Sequence, residues 1–166
     1  MRIRDVMTKD VISLCPSDTL MGTITLFSKN RISGAPVVDD KRRVIGIVTE
    51  MDILRRLEIG SIEITYKPVK GAGKALASQS ENGIRLKSLH KALEGIGGLT
   101  ASKVMTSPVV TVFPDDHVEE KVTLMVHKRI RRLPVVDLKG VLSGIVSRKD
   151  LIRMLGGMAR SGGDDR

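Results

Sequence analysis

The 166-residue chain has no tryptophan, one tyrosine, two phenylalanines and a single cysteine. With so few aromatic side chains it lacks the platforms on which single-strand binders stack bases. Cys15 has no intramolecular disulfide partner, and His90, His117 and His127 stand isolated, so no Cys/His pair has zinc-ligand spacing. No run approaches the roughly 18 consecutive apolar residues of a membrane span. The opening Met-Arg-Ile-Arg-Asp leads into no apolar signal-peptide core. A cytoplasmic setting fits these absences. The length excludes folds such as the roughly 250-residue (β/α)₈ barrel. Acidic residues are also few, with 19 Asp+Glu against 28 Lys+Arg, a net +9 and a pI near 10.0. That balance favours anionic partners, and with so few aromatics it suits phosphate better than bases.

What the sequence does have is a repeat. Shifted by 98 residues, Ile3 to Leu54 falls on Ala101 to Ile152 without a gap, and nineteen of the 52 positions are identical. Val6-Met7-Thr8 matches Val104-Met105-Thr106, Pro36-Val37-Val38-Asp39 matches Pro134-Val135-Val136-Asp137, and Gly46-Ile47-Val48 matches Gly144-Ile145-Val146.

Each copy reads as β-α-β-β-α. Val11 to Leu14 and Val109 to Val112 are β-branched runs closed by a proline two residues on, which predicts strands. Ser17 or Asp18, and Asp115 or Asp116, are positioned to cap helices reaching about Asn30 and Lys128. Leu20, Ile24 and Phe27, and Val118, Val122 and Met125, form their inward stripes. Two strands and a hairpin turn follow, ending with Val44 to Thr49 and Val141 to Ser147, before helices that start at Glu50 and Arg148. A 52-residue unit buries little surface alone, so the two copies are expected to pack sheet to sheet as one pseudo-twofold α/β (α+β) module. The helices' apolar faces exceed what one small sheet covers, which points to a homodimer.

Two constellations carry the chemistry. Gly46-Ile47-Val48-Thr49-Glu50-Met51-Asp52 and Gly144-Ile145-Val146-Ser147-Arg148-Lys149-Asp150 both place Thr/Ser-x-x-Asp at a strand-to-helix junction. One reading is a capping box. The other is a nucleotide site, in which helix N-terminal amides and the hydroxyl meet phosphate while the carboxylate accepts ribose hydroxyls. The second constellation is His127-Lys128-Arg129-Ile130-Arg131-Arg132. It reads either as a solvated helix end or as a phosphate grip, because guanidinium forks pair with phosphate oxygens. In the first copy the same stretch is Lys29-Asn30-Arg31-Ile32-Ser33-Gly34.

Other candidates are weaker. Lys70-Gly71-Ala72-Gly73-Lys74-Ala75 fails the Gly-x4-Gly-Lys-Ser/Thr pattern of a phosphate loop and reads as linker. Cys15 reads as a small buried hydrophobe in a strand. No nucleophile, base and oxyanion set can be assembled, so the chain is expected not to be an enzyme, and no metal site is expected.

The motifs in register resemble a tandem pair of CBS domains, the module named after cystathionine β-synthase. The repeat and the composition around it put the repeats over 1–58 and 99–156, a linker with a helix from about Arg85 to Glu94 over 59–98, and a disordered tail over 157–166. The resemblance implies a stand-alone regulatory module, dimerising as a disc, that binds AMP, ADP, ATP or S-adenosylmethionine in two clefts between the repeats. By that resemblance the first cleft would use Asp52 for ribose hydroxyls, Thr49, Ile47 and Met51. Pro108 and Val110 would flank adenine, and Arg129, Arg131 and Arg132 would meet phosphate. The second would use Asp150, Ser147, Ile145 and Lys149 with Asp10, Ile12 and Arg31. Because Ser33-Gly34 replaces Arg131-Arg132, phosphate is expected to prefer the first cleft. The ligand would act as a regulator, and the output would pass to a partner protein by a conformational change. The alternative is a basic nucleic-acid-binding accessory protein that uses the repeat as a scaffold.

Overall fold

The computed structural model describes residues 1–57 and 90–161. Along the chain it contains α1 (Ile3–Val6), α2 (Leu20–Asn30), β1 (Gly34–Val38), β2 (Val44–Thr49) and α3 (Glu50–Arg56). Residues 90–95 form the described part of α4, followed by α5 (Ala101–Val104), α6 (Val118–His127), β3 (Arg132–Val136), β4 (Leu142–Ser147) and α7 (Arg148–Ser161). The phosphate-loop-like segment and the expected start of the linker helix at Arg85 lie outside the described residues. α7 continues to Ser161, so the first five residues of the tail expected to be disordered are helical, while 162–166 lie outside the description.

Each repeat contributes a two-stranded antiparallel sheet, β1 with β2 and β3 with β4. The turns are set by one carboxylate. Asp39 accepts from the amides of Lys41 (2.9 Å) and Arg43 (2.8 Å), and Asp137 from those of Lys139 (2.8 Å) and Val141 (2.9 Å). The inward stripes are where periodicity puts them: Leu20 and Phe27, Val118 and Met125 are buried, with Ile24 and Val122 packed partly buried beside them.

Three expectations need correction. The opening strands shrink to single parallel bridges, Leu14 to Val37 and Val112 to Val135. The long helices begin later than the acids suggested. Thr19 caps α2 by accepting from the Gly22 amide at 3.1 Å, and α6 starts after His117 with no side-chain cap. Asp18 and Asp116 instead hold the preceding turns, accepting from the amides of Cys15 (2.8 Å) and Phe113 (2.9 Å). Cys15 consequently sits in a turn and is exposed rather than buried.

The hydrogen bonds between the repeats obey the same 98-residue shift as the sequence. Thr8 bridges Ile145 as Thr106 bridges Ile47, and Arg2 bridges His117 as Thr100 bridges Thr19. Arg43 bridges Val141, its own counterpart, so the pseudo-twofold axis passes between them. The opening arms are exchanged across this axis. Ile3 is buried in the core of Val112, Val118, Met125, Leu133, Val135, Val146 and Leu151, whereas Ala101 and Val104 belong to the core of Leu14, Leu20, Phe27, Val37 and Val48. The two arms approach so closely that a Cβ at Gly46 would collide with the Met105 thioether, and one at Gly144 with that of Met7. Among the described residues no helix is long and apolar enough to cross a membrane.

Candidate functional site

The exchange of arms opens two clefts, one against each strand-to-helix junction. The first, about 470 Å³, brings together Ile47, Thr49, Met51, Asp52, Arg129, Arg131 and Arg132. Glu50, Arg55, Thr106, Lys128 and Ile130 complete it. The second, about 410 Å³, brings together Asp10, Ile12, Arg31, Ile145, Ser147, Lys149 and Asp150. Both volumes fall within the range of small-molecule pockets. Pro108 and Val110 do not stand on the first wall. Pro108 is exposed beside Ser107, whose hydroxyl donates to the Ile45 carbonyl at 3.0 Å, and Val110 packs against the second core.

Both junctions are capping boxes. Asp52 Oδ2 accepts from the Thr49 amide at 2.8 Å and its hydroxyl at 2.5 Å, while Thr49 Oγ1 accepts from the Asp52 amide at 3.4 Å. Ser147 and Asp150 repeat this with distances of 2.8, 2.5 and 3.4 Å. The cap occupies Oδ2 only. Among the described residues Asp52 Oδ1 accepts just from the Thr106 hydroxyl, at 3.3 Å, across the cleft. A carboxylate oxygen held by one long hydrogen bond keeps lone pairs for a diol.

The arginines stand differently from expectation. Arg131 and Arg132 line both clefts, not the first alone. Arg132 Nη1 donates to the Ser33 carbonyl at 2.7 Å and Nη2 to the Ser33 hydroxyl at 2.5 Å. Gly34 is the counterpart of Arg132 under the 98-residue shift, and a Cβ on Gly34 would collide with the Arg132 guanidinium. The same Cβ would also come 2.9 Å from the Val48 carbonyl oxygen. The Ser33-Gly34 difference therefore makes space for an arginine shared by both clefts. Burial lowers the Arg132 pKa from its ordinary value, opposed by the nearby Glu50 carboxylate. Arg131 pairs with that same carboxylate at 3.2 Å.

Sequence reasoning missed Arg153, which reaches the second wall and bonds Asp150 Oδ1, and Arg55, its counterpart on the first. An arginine three residues after each Thr/Ser-x-x-Asp aspartate was the available signal. Among the described residues no group of three His, Cys, Asp or Glu is placed to hold a metal ion.

Comparison with known proteins accounts for this architecture. An uncharacterized protein of Methanocaldococcus jannaschii, MJ1426, is 32% identical over 165 residues, covering 93% of this chain and 91% of its own. Arabidopsis CBSX2, solved in complex with AMP, has a TM-score of 0.69 at 23% identity, over 95% of this chain and 98% of that one. The CBS domain pair of protein MJ0100, solved with 5'-methylthioadenosine and S-adenosyl-L-methionine, has a TM-score of 0.68, also at 23% identity and with the same coverage. The family model for the CBS domain matches residues 3–59 and 101–157, one for each arm-exchanged repeat, and the chain belongs to the CBS domain family as a tandem pair.

Proposed function

We propose that the chain is a regulatory module that binds an adenosine-containing ligand in the clefts between its repeats and passes the signal to a protein partner by a change of shape. The observation that carries this reading is the first cleft's pairing of Asp52, with an oxygen turned to the cavity, and the guanidinium wall of Arg129, Arg131 and Arg132. A vicinal diol needs the first and a phosphate the second. The AMP of the CBSX2 complex and the S-adenosylmethionine of the MJ0100 complex belong to the same chemical class. The cationic wall favours the phosphate-bearing members, AMP, ADP or ATP, over S-adenosylmethionine. Asp52, Thr49, Ile47 and Met51 would hold the nucleoside in the first cleft, and Asp150, Ser147, Ile145 and Lys149 with Asp10, Ile12 and Arg31 would serve the second. No reaction is assigned to the chain.

The reading includes a homodimer. Leu54 on α3 and its counterpart Ile152 on α7 are 55% and 67% exposed, and Leu155 is 54% exposed. A second copy would cover these faces.

A thermal-shift panel of AMP, ATP, NAD and S-adenosylmethionine tests the function. A ligand at 100 times its dissociation constant adds about 2.7 kcal/mol, which is roughly 5–10 °C for a chain of this size. At least one adenosine ligand should give that shift, with modest dependence on salt. If none does and the protein instead binds duplex with an affinity falling steeply with salt, the basic charge serves nucleic acid and the proposal fails.

A further inference from the structure

Asp52 and Asp150 are equivalent in sequence and in their caps, yet their free oxygens are not equivalent. Among the described residues Asp52 Oδ1 meets only the Thr106 hydroxyl, and Asp52 is half-buried. Asp150 Oδ1 is gripped by the guanidinium of Arg153, one turn along α7, and the residue is 6% exposed. Arg55, the counterpart of Arg153, stands on the first wall, but among the described residues it forms no ion pair with Asp52. Thr8, the counterpart of Thr106, lines the second cleft while Arg153 takes the oxygen.

We propose that Arg153 is a specificity-determining residue of the second cleft, which competes with a ligand's vicinal hydroxyls for Asp150 and so sets this cleft's affinity for ribose below that of the first. The proposal rests on the adenosine reading above and deepens it. A diol donates to the carboxylate oxygen that faces the cavity. In the second cleft that oxygen already takes a charge-assisted bond, which neutral hydroxyls replace only at a loss. The Arg153 side chain is itself 69% exposed, so it is released into water and the competition is finite. If the pair is open about a tenth of the time, apparent affinity falls about tenfold, since only the open fraction binds.

Adenosine is the probe, because without phosphate it reads the carboxylate and not the cationic walls. The amides of Thr49 and Ser147 each donate to their own cleft's aspartate at 2.8 Å, so their NMR shifts report the two clefts separately in one protein. In the unsubstituted chain the Thr49 amide should half-saturate at about tenfold lower adenosine than the Ser147 amide. Arg153→Gln should move the Ser147 curve about tenfold toward tighter binding and leave the Thr49 curve in place. Arg153→Lys, which keeps the charge, should move it less. A Ser147 curve that is unchanged or weaker in Arg153→Gln, while Thr49 still reports binding, overturns the proposal. If neither amide responds in any of these proteins, the adenosine reading falls, and the role of Arg153 with it.

Discussion

Asp52 has two oxygens with two different duties, and substitutions can separate them. Asp52→Ala removes both. It loses the acceptor for the Thr49 amide and hydroxyl, and losing such a cap costs about 1 kcal/mol, or roughly 2–4 °C in melting temperature. Asp52→Asn keeps one carbonyl oxygen, which can stay on the Thr49 amide, and replaces Oδ1 with an NH₂ group that accepts nothing. Its stability should remain within about 0.5 kcal/mol of the original. Ligand binding should fall in both variants. A diol that loses one charged acceptor loses roughly 1.5–3 kcal/mol, a factor of about 10 to 150 in affinity. Scanning calorimetry and isothermal titration with adenosine, run on both variants, read the two duties independently. The reasoning is refuted if Asp52→Asn binds adenosine as tightly as the unsubstituted protein, which would leave Asp52 a cap alone. An equal loss of melting temperature in Asn and Ala would refute the assignment of Oδ2 to the cap.

Four further outcomes follow from the geometry. Because Arg131 and Arg132 line both clefts, combining Arg131→Gln with Arg132→Gln should weaken AMP at least about tenfold at both the Thr49 and the Ser147 amide; a second cleft left untouched contradicts the shared wall. Gly34→Ala should cost about 1–3 kcal/mol in denaturant unfolding by forcing a Cβ against the Arg132 guanidinium and the Val48 carbonyl oxygen, and Arg132→Ala should recover only the guanidinium's share; strictly additive effects would mean the two side chains do not meet. Leu54→Lys with Ile152→Lys should convert a dimer to a monomer in light scattering, and a monomer mass for the unsubstituted protein removes the dimer from the account. The Arg43 side chain and amide hold the Asp39 carboxyl below its ordinary pKa, so its share of stability is present above the ordinary carboxylate value and lost as pH falls through the lowered one. Asp39→Asn should flatten the acid limb of the melting curve against pH, and an unchanged limb counts against the linkage.

Much of this was legible because the duplication prints every feature twice. The hairpins, the helical stripes and the two Thr/Ser-x-x-Asp junctions depend on local spacing, and the structure places them where spacing puts them. Local spacing does not say which copy an arm enters. Ile3 reads as part of the first repeat, yet it fills the second core, because that choice is made by tertiary packing across the axis. The opening strands failed for a related reason. Val11 to Leu14 has the composition of a strand but finds a bridging partner only at Leu14. The loss of arginines at Ser33-Gly34 was readable as a weakened second phosphate site only while the axis was out of view; with Gly34 facing Arg132, the same residues become the clearance for a shared guanidinium. Arg153 and Arg55 are identical in type and position, so nothing in the sequence separates the one that grips its aspartate from the one that does not.

The central claim, that an adenosine ligand sits between the repeats with its ribose on Asp52, is tested most directly by a crystal structure of the full chain with AMP. In that structure the ribose hydroxyls should lie within hydrogen-bonding distance of Asp52 Oδ1 and the phosphate against Arg129 and Arg131. AMP bound with its ribose away from Asp52, or with the Asp150 cleft filled while the Asp52 cleft stays empty, would contradict it.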